Sequence, residues 1–330
     1  MDKLLQIKDL VVEFQTPGGL VQAVNGISYS VSSGEIVAVV GESGSGKSVS
    51  ALAFLGLVPI PPGRIVNGEI LFDGTDLLKL DAEALRDIRG GDIAMVFQEP
   101  MTSLNPVLSI GRQLTEGMKI HLNLDKQSAR RRAIEVLSLV GISDPEDRLK
   151  QYPHQLSGGM RQRVMIAIAL SCKPKLIIAD EPTTALDVTI QAQVLSLMED
   201  LCRQMDVALI LITHNLGIVA RYAERVNVMY AGRIVESGPA MKVYANPSHP
   251  YTVGLLKSVP SLDQERGRQL DPIPGNPPDM AALGDGCAFA PRCSFAQQRC
   301  RNEIPMLAAV DDDHYSACWE IEAARGQNAA

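Results

Sequence analysis

The sequence predicts an α/β fold built on a parallel sheet, and three observations point to it. Short β-branched apolar runs alternate with helical stretches through roughly the first 240 residues. The runs at Ile36–Val40, 176–179 and 209–213 are apolar almost throughout, as strands covered on both faces are. Each run also gives way to polar residues, and in open α/β sheets the carboxyl ends of the strands are where ligands bind.

Taken in order, Ile36–Val40 reads as a buried strand that runs into a glycine-rich turn. A helix follows from Lys47 and must stop by Pro59, Pro61, Pro62 and Gly63. Residues 125–140 are charged and helical in pattern, with Ile134, Leu137 and Val140 on one face and Gly141 as the C-cap. Residues 100–170, in round numbers, form a helical insertion. Past residue 245 the texture changes: prolines recur at 247, 250, 260, 272, 274, 277, 278, 291 and 305, with four cysteines among them. The expected organisation is therefore a 1–245 α/β domain and a 246–330 irregular extension held by something other than a large core.

Composition narrows the function classes. At 330 residues with 46% hydrophobic residues the chain can bury a sizeable core. Lys and Arg number 31 against 38 Asp and Glu, a net charge of -7, which gives no electrostatic footprint for nucleic acid; no nucleic-acid partner is expected. Met1-Asp2-Lys3-Leu4-Leu5 lacks the charged leader and apolar run of a signal peptide. The most apolar stretch, residues 51–60, is broken by Gly56 and Pro59 and is too short to span a bilayer. The expectation is a soluble chain whose membrane role, if it has one, comes through a partner. Of six cysteines, Cys172 and Cys202 read as small buried apolar residues.

Three motifs carry chemistry. Gly41-Glu42-Ser43-Gly44-Ser45-Gly46-Lys47-Ser48 has the pattern of a phosphate-binding loop between a strand and a helix. Its glycines let backbone N–H groups turn inward around a phosphate at the positive end of the helix. Lys47 can reach the terminal phosphates and the Ser48 hydroxyl can ligate magnesium. The second motif is the apolar run ending in Asp180 and Glu181, which suits one carboxylate holding magnesium and another polarising an attacking water. The third is Leu156-Ser157-Gly158-Gly159-Met160-Arg161-Gln162-Arg163, where Ser157 can cap a helix whose positive end carries bare glycine backbone.

The third segment closely resembles the signature sequence of ABC ATPases, with Met160 where Gln is usual; its Ser and both Gly are intact. Other motifs of that family follow in order. Gln98, in Val96-Phe97-Gln98-Glu99-Pro100, matches the loop that senses magnesium and faces the membrane subunits. Ala185-Leu186-Asp187 matches the D-loop, and His214 the switch histidine, followed by Asn215 where Asp is frequent. Phe14 stands where the family has an aromatic stacked on adenine, although an aromatic in a first strand is as readily a core residue. Over residues 4–245 the chain thus resembles ABC nucleotide-binding subunits: P-loop NTPases of ABC type with a RecA-like core sheet and a helical subdomain. The segments 99–106 and 249–252 and the cysteine tail resemble the dipeptide/oligopeptide/nickel importer group.

The resemblance implies an ATP-hydrolysing motor, peripheral on the cytoplasmic face of the inner membrane, using ATP and Mg2+. It implies a head-to-tail heterodimer with a second, related ATPase, two membrane permease subunits and an extracytoplasmic peptide-binding protein. Each ATP would lie between the phosphate loop of one subunit and Ser157, Gly158 and Gly159 of the other. Cys287, Cys293, Cys300 and Cys318, with 5, 6 and 17 residues between them, lack the tight pair usual for structural zinc. Four thiolates also suit a [4Fe–4S] cluster, and the tail resembles the extension that carries one in peptide-importer ATPases; zinc and unligated thiols stay open. Nickel-complex import is an alternative cargo, and a non-transport ABC ATPase an alternative role. About 110 residues without sustained heptads separate loop and signature, which argues against the coiled-coil DNA-repair type.

Overall fold

The computed structural model describes residues 3–184, 186–258 and 272–328. The chain divides into two compact units, each described by itself. One comprises Leu5–Ser30, Ile36–Asp76 and Thr213–Ala330, the other Met1–Leu4, Val31–Glu35 and Leu77–Ile212.

In the first unit, β1 (Lys3–Thr16), β2 (Gly19–Ser32), β4 (Gly63–Phe72) and β5 (Thr75–Asp76) form a four-stranded sheet in the order β2-β1-β4-β5. Antiparallel pairing of β1 with β4 sets Phe14 opposite Gly63. The strand β3 (Ile36–Val40), buried at all five positions, lies parallel to β9 (Arg225–Tyr230) and leads through the glycine-rich turn into α1 (Lys47–Phe54). Both bounds agree with the sequence expectation, because an all-apolar run and a following proline cluster leave few alternatives. Next to β9 comes antiparallel β10 (Arg233–Pro239).

The residues past 245 behave differently from the irregular appendage expected. They supply β11 (Ala308–Asp311) and β12 (His314–Ser316), and β12 pairs with β10 through Glu236 and Ser237. They also carry α11 (Pro250–Lys257), α12 (Gln298–Asn302) and α13 (Ile321–Asn328), while α9 (Leu216–Tyr222) and α10 (Ala240–Ala245) precede them. Tyr251 of α11 is fully buried and joins Tyr230 and Phe289 in a three-ring cluster, with centroids 4.5–5.4 Å apart. Val226, Val228, Val243 and Leu255 share that core. Among the described residues, Tyr251, Leu255 and Phe289 pack into the same core as Val226, Tyr230 and Val243, so that core draws on both sides of residue 245.

A buried carboxylate anchors this region. Glu236 accepts hydrogen bonds from the Ser248 N–H at 2.6 Å and the His249 N–H at 3.0 Å, and its Oε1 lies 2.8 Å from His314 Nε2. Satisfied on all sides, it fixes the turn that starts α11; stripped of its partners it would cost several kcal/mol. His249 then caps α11, its Nδ1 accepting from the Tyr251 N–H at 3.1 Å.

In the second unit, β6 (Ile93–Val96), β7 (Leu176–Asp180) and β8 (Ala208–Thr213) run parallel, with β7 in the middle. Between α2 (Ala82–Ile88) and α8 (Val188–Met205) lie α3 (Pro100–Ser103), α4 (Ile110–His121), α5 (Lys126–Leu139), α6 (Pro145–Arg148) and α7 (Gly158–Ser171), which make up the expected helical insertion. The caps are local chemistry: Asp125 accepts from the Gln127 and Ser128 N–H groups to start α5, which stops at Val140 before Gly141 at φ +72°. Arg163 donates to the Val140 carbonyl at 2.7 Å, tying α7 to the end of α5. No helix among the described residues is long and apolar enough to cross a membrane.

Burial pushes the His249 imidazole down to about 3, so the folded ring stays neutral where the unfolded ring, near 6.5, takes up a proton. The folded pKa is the lower one, so this contribution is complete above pH 6.5 and is lost as pH falls towards 3. Urea titrations between pH 6.5 and 5 should show stability falling by up to about 1.4 kcal/mol per pH unit, and His249→Asn should remove that component.

Candidate functional site

The glycine-rich loop of the first unit is shaped by contacts that only glycine tolerates. A Cβ on Gly46, at φ +100°, would stand 2.1 Å from the Ala23 carbonyl oxygen, and one on Gly41 would stand 2.2 Å from that of Met229. The loop is thus wedged between β2 and β9, with its curl set by close backbone approach. Lys47 is buried, and its ammonium donates to the Gly41 and Glu42 carbonyls, both at 2.8 Å, and lies 3.4 Å from Ser45 Oγ. Those contacts hold the cation at the mouth of the loop, where the N-terminus of α1 adds its partial positive charge. Ser48 is the second residue of α1. Half-buried Phe14 faces Gly63, where a Cβ would meet its ring at 2.8 Å, so the glycine makes room for the aromatic.

Glu42 has partners on every side. Its N–H donates to the Tyr251 hydroxyl at 2.7 Å, its carbonyl takes Lys47, and its carboxylate takes Arg292 Nη1 at 2.6 Å and Nη2 at 3.0 Å. His214 follows β8 and is exposed.

In the second unit, Asp180 ends β7 nearly buried, and Glu181 follows with φ +44°. A non-glycine residue in the left-handed region is strained, and such strain collects at functional sites. The turn is secured by the Glu181 N–H, which donates to the Ile212 carbonyl at 2.9 Å. Its carboxylate accepts from Gln98 Nε2 at 3.2 Å and from Thr184 Oγ1 at 2.8 Å. The structure therefore brings together Gln98 and Glu181, which the sequence separates by 83 residues. Thr184 escaped the sequence reading, although its place three residues after the carboxylate was a usable signal.

Ser157 caps α7, accepting from the Met160 N–H at 3.3 Å, as expected from sequence. Ser157 and Gly158 are exposed, so the helix offers its positive end to solvent. Gly159 sits against α8, where a Cβ would approach Ile190 Cγ2 to 3.3 Å. Asp187, expected from sequence to lie in a D-loop, caps α8 by accepting from the Ile190 N–H at 3.0 Å, which gives it a local structural task. Ala185, the first residue of that motif, lies outside the described residues.

Back in the first unit, Cys287, Cys293, Cys300 and Cys318 line one small apolar pocket with Phe289 and Trp319. Gly286 makes the geometry possible: a Cβ there would meet the Arg301 carbonyl at 2.4 Å, and the Cys287 N–H donates to the Cys300 carbonyl at 2.8 Å. Arg299 stacks 4.3 Å over Trp319, joining α12 to the segment that bears Cys318. Burial raises the Cys287 and Cys293 thiols and pushes Cys318 up to about 12, so ligation there must displace protons. Among the described residues no three His, Cys, Asp or Glu side chains gather closely enough to hold one metal ion. The thiols are thus neighbours around a pocket, not converged on a single point.

The chain is similar to known proteins over nearly its whole length. Residues 24–184 match the family model for ABC transporters, and residues 235–300 match the one for the oligopeptide/dipeptide transporter C-terminal region. The chain is 51% identical to an oligopeptide transport ATP-binding protein of Bacillus subtilis, over 96% of this chain and 88% of that one. It is equally identical, 51%, to a dipeptide transport ATP-binding protein of the same organism, over 97% and 95%. Among solved structures, a dimeric ATP-binding cassette in a post-hydrolysis state bound to ADP and Pi superposes with TM-score 0.64 at 26% identity, over 72% of this chain and 98% of that one.

The two loop glycines should respond differently to substitution. Gly46→Ala drives a methyl into the Ala23 carbonyl and should abolish binding of a fluorescent ATP analogue. Gly44→Ala, with nothing within 4 Å, should cost only the left-handed backbone penalty of about 1–2 kcal/mol in stability and keep binding.

Proposed function

The chain belongs to the oligopeptide/dipeptide type of ABC transporter ATP-binding proteins, and on that premise we propose that it is the ATP-hydrolysing motor subunit of a bacterial peptide importer. One observation carries the cargo class: relatives named for oligopeptide and dipeptide transport match nearly the whole chain, including the region past the ATPase core. The motor works at the cytoplasmic face of the plasma membrane with two permease subunits, a related second ATPase and an extracytoplasmic peptide-binding protein.

In this reading the loop 41–48 wraps the phosphates, Lys47 reaches the terminal ones, and Ser48 and Asp180 hold magnesium with help from Gln98. Glu181 takes the proton of the attacking water, and His214 steadies the terminal phosphate. Support for Glu181 comes from the strained backbone and from the two donors, Gln98 and Thr184, that aim its carboxylate. Phe14 is the adenine platform. Ser157, Gly158 and Gly159 act on the nucleotide of the partner ATPase, and Asp187 lies in the loop between the two nucleotides. The exposed N-terminus of α7 and the dimeric relative bound to ADP and Pi support that sandwich.

Closure follows from differential binding, because ATP contacts both ATPases only when they are closed. Shifting such an equilibrium from open to closed takes about 5.5 kcal/mol, which two triphosphates can share.

The four cysteines fit a [4Fe–4S] cluster in kind. Such a cluster takes one thiolate per iron, and four cysteines line the same pocket here. Held there, it would crosslink the segments at 287, 293, 300 and 318; ATP-driven import asks no electron of it.

The deciding measurement is ATPase activity of the assembled complex, purified without oxygen, with and without peptide-loaded binding protein. Peptide should stimulate it, and activity indifferent to binding protein and permeases would end the importer reading. Glu181→Gln should keep ATP binding while turnover falls roughly a hundredfold or more; near-normal turnover would remove Glu181 from its role. Lys47→Ala should weaken binding itself. Iron and sulfide should be found in the same preparation, and their absence would exclude the cluster.

A further inference from the structure

The phosphate loop carries an acidic side chain where a triphosphate must bind. Coulomb repulsion alone makes Glu42 a liability at that position, since a carboxylate disfavours a neighbouring anion. The fold answers it with Arg292, which lies in the short turn 290–292 just before Cys293. The guanidinium is nearly buried, and its two Nη groups grip both oxygens of the Glu42 carboxylate. Its remaining capacity is used locally. Nε donates to the Pro274 carbonyl at 2.9 Å, Nη1 lies 3.4 Å from the Tyr230 hydroxyl, and Nη2 lies 3.5 Å from the Ile273 carbonyl. A fork held at its base and its sides cannot swing, so the carboxylate it grips is fixed as well.

A second contact comes from the same region. Pro277, Pro278 and Met280 line a small pocket with Glu42, Ser43, Gly44 and Ser45. The loop is thereby bordered by residues that follow it by more than two hundred positions, and Tyr251 holds the Glu42 N–H from a third direction. Because the Glu42 carbonyl also takes Lys47, whatever orients Glu42 orients the cation that meets the phosphates.

We infer that Arg292 is a positioning residue for nucleotide binding: it neutralises Glu42 and holds that carboxylate aside, so that the loop presents its N–H groups and Lys47 to the triphosphate without an opposing charge. This rests on the reading of the loop as an ATP site. Arg292 touches no reacting atom; its effect is on affinity, through Glu42.

The test uses the full chain, a fluorescent magnesium-ATP analogue and thermal unfolding of each variant. Arg292→Gln should weaken nucleotide binding by roughly tenfold or more, as loss of one member of a shielded ion pair does, and the deficit should shrink as salt screens the uncovered carboxylate. Glu42→Gln combined with Arg292→Gln should return affinity to within about threefold of wild type, because the repelling charge has gone with its partner. Arg292→Lys, which keeps the charge and loses the fork, should fall in between. Should Arg292→Gln fail to fold, the same rescue is read on Arg292→Lys. Unchanged affinity in Arg292→Gln overturns the inference, as does a double variant that binds as weakly as the single one, since a purely structural role predicts that result. If wild type itself fails to bind the nucleotide, the ATP reading falls and this inference with it.

Discussion

The curl of backbone between β3 and α1 sets the terms for the unit that contains it. A loop that turns consecutive N–H groups towards one point has no room for side chains on its outer wall, and the wall here is made of carbonyl oxygens. Gly41 presses on Met229 and Gly46 on Ala23 at distances no Cβ survives. The loop therefore cannot form from its own glycines alone. It needs β2 and β9 already in place, and β9 in turn needs the strands and helices beyond residue 230 to cover it. Local chemistry and long-range packing meet in those two contacts.

The other unit solves a different problem, the presentation of charge. Its central parallel strand β7 ends at two adjacent carboxylates, Asp180 and Glu181, that would repel each other and any phosphate if left to move. Asp180 is withdrawn almost to full burial, whereas Glu181 is lifted by a left-handed backbone and steadied by Gln98 and Thr184. Backbone strain of this kind, of order 1–3 kcal/mol, persists only where the surroundings over-determine the conformation. The hydrogen bond from Glu181 N–H to Ile212 on the neighbouring strand is part of that determination. At α7 the opposite sign is presented by an open helix start whose glycines leave the backbone bare.

Much of this was legible in the sequence wherever one short stretch carries its own signal. The strand at Ile36–Val40, the start of α1 at Lys47, the Ser157 cap and the end of α5 at Gly141 each follow from a few adjacent residues with a clear steric or hydrogen-bonding preference. What escaped depends on partners far away in the chain. Nothing local marks Glu236 as a buried hub for Ser248, His249 and His314, since a glutamate in a strand ordinarily faces water. Prolines between 247 and 305 read as irregularity, yet Tyr251 and Phe289 among them complete a core begun by Tyr230. Asp187 matched a family loop, and its carboxylate also does the ordinary work of a helix cap. The cysteine spacing left the ligand open because the thiols approach one another through turns, which spacing does not encode.

The pairing of Glu42 with Arg292 spans 250 residues, and that span has a consequence for biosynthesis. A chain emerging from the ribosome brings out the residues of its phosphate loop early, long before the strand β9 that packs on that loop and the arginine that balances Glu42 have been made. Until then the Glu42 carboxylate has no Arg292 to grip it. On the role inferred for Arg292, the site could not reach full affinity for nucleotide until the distal turn had been made and packed against the loop.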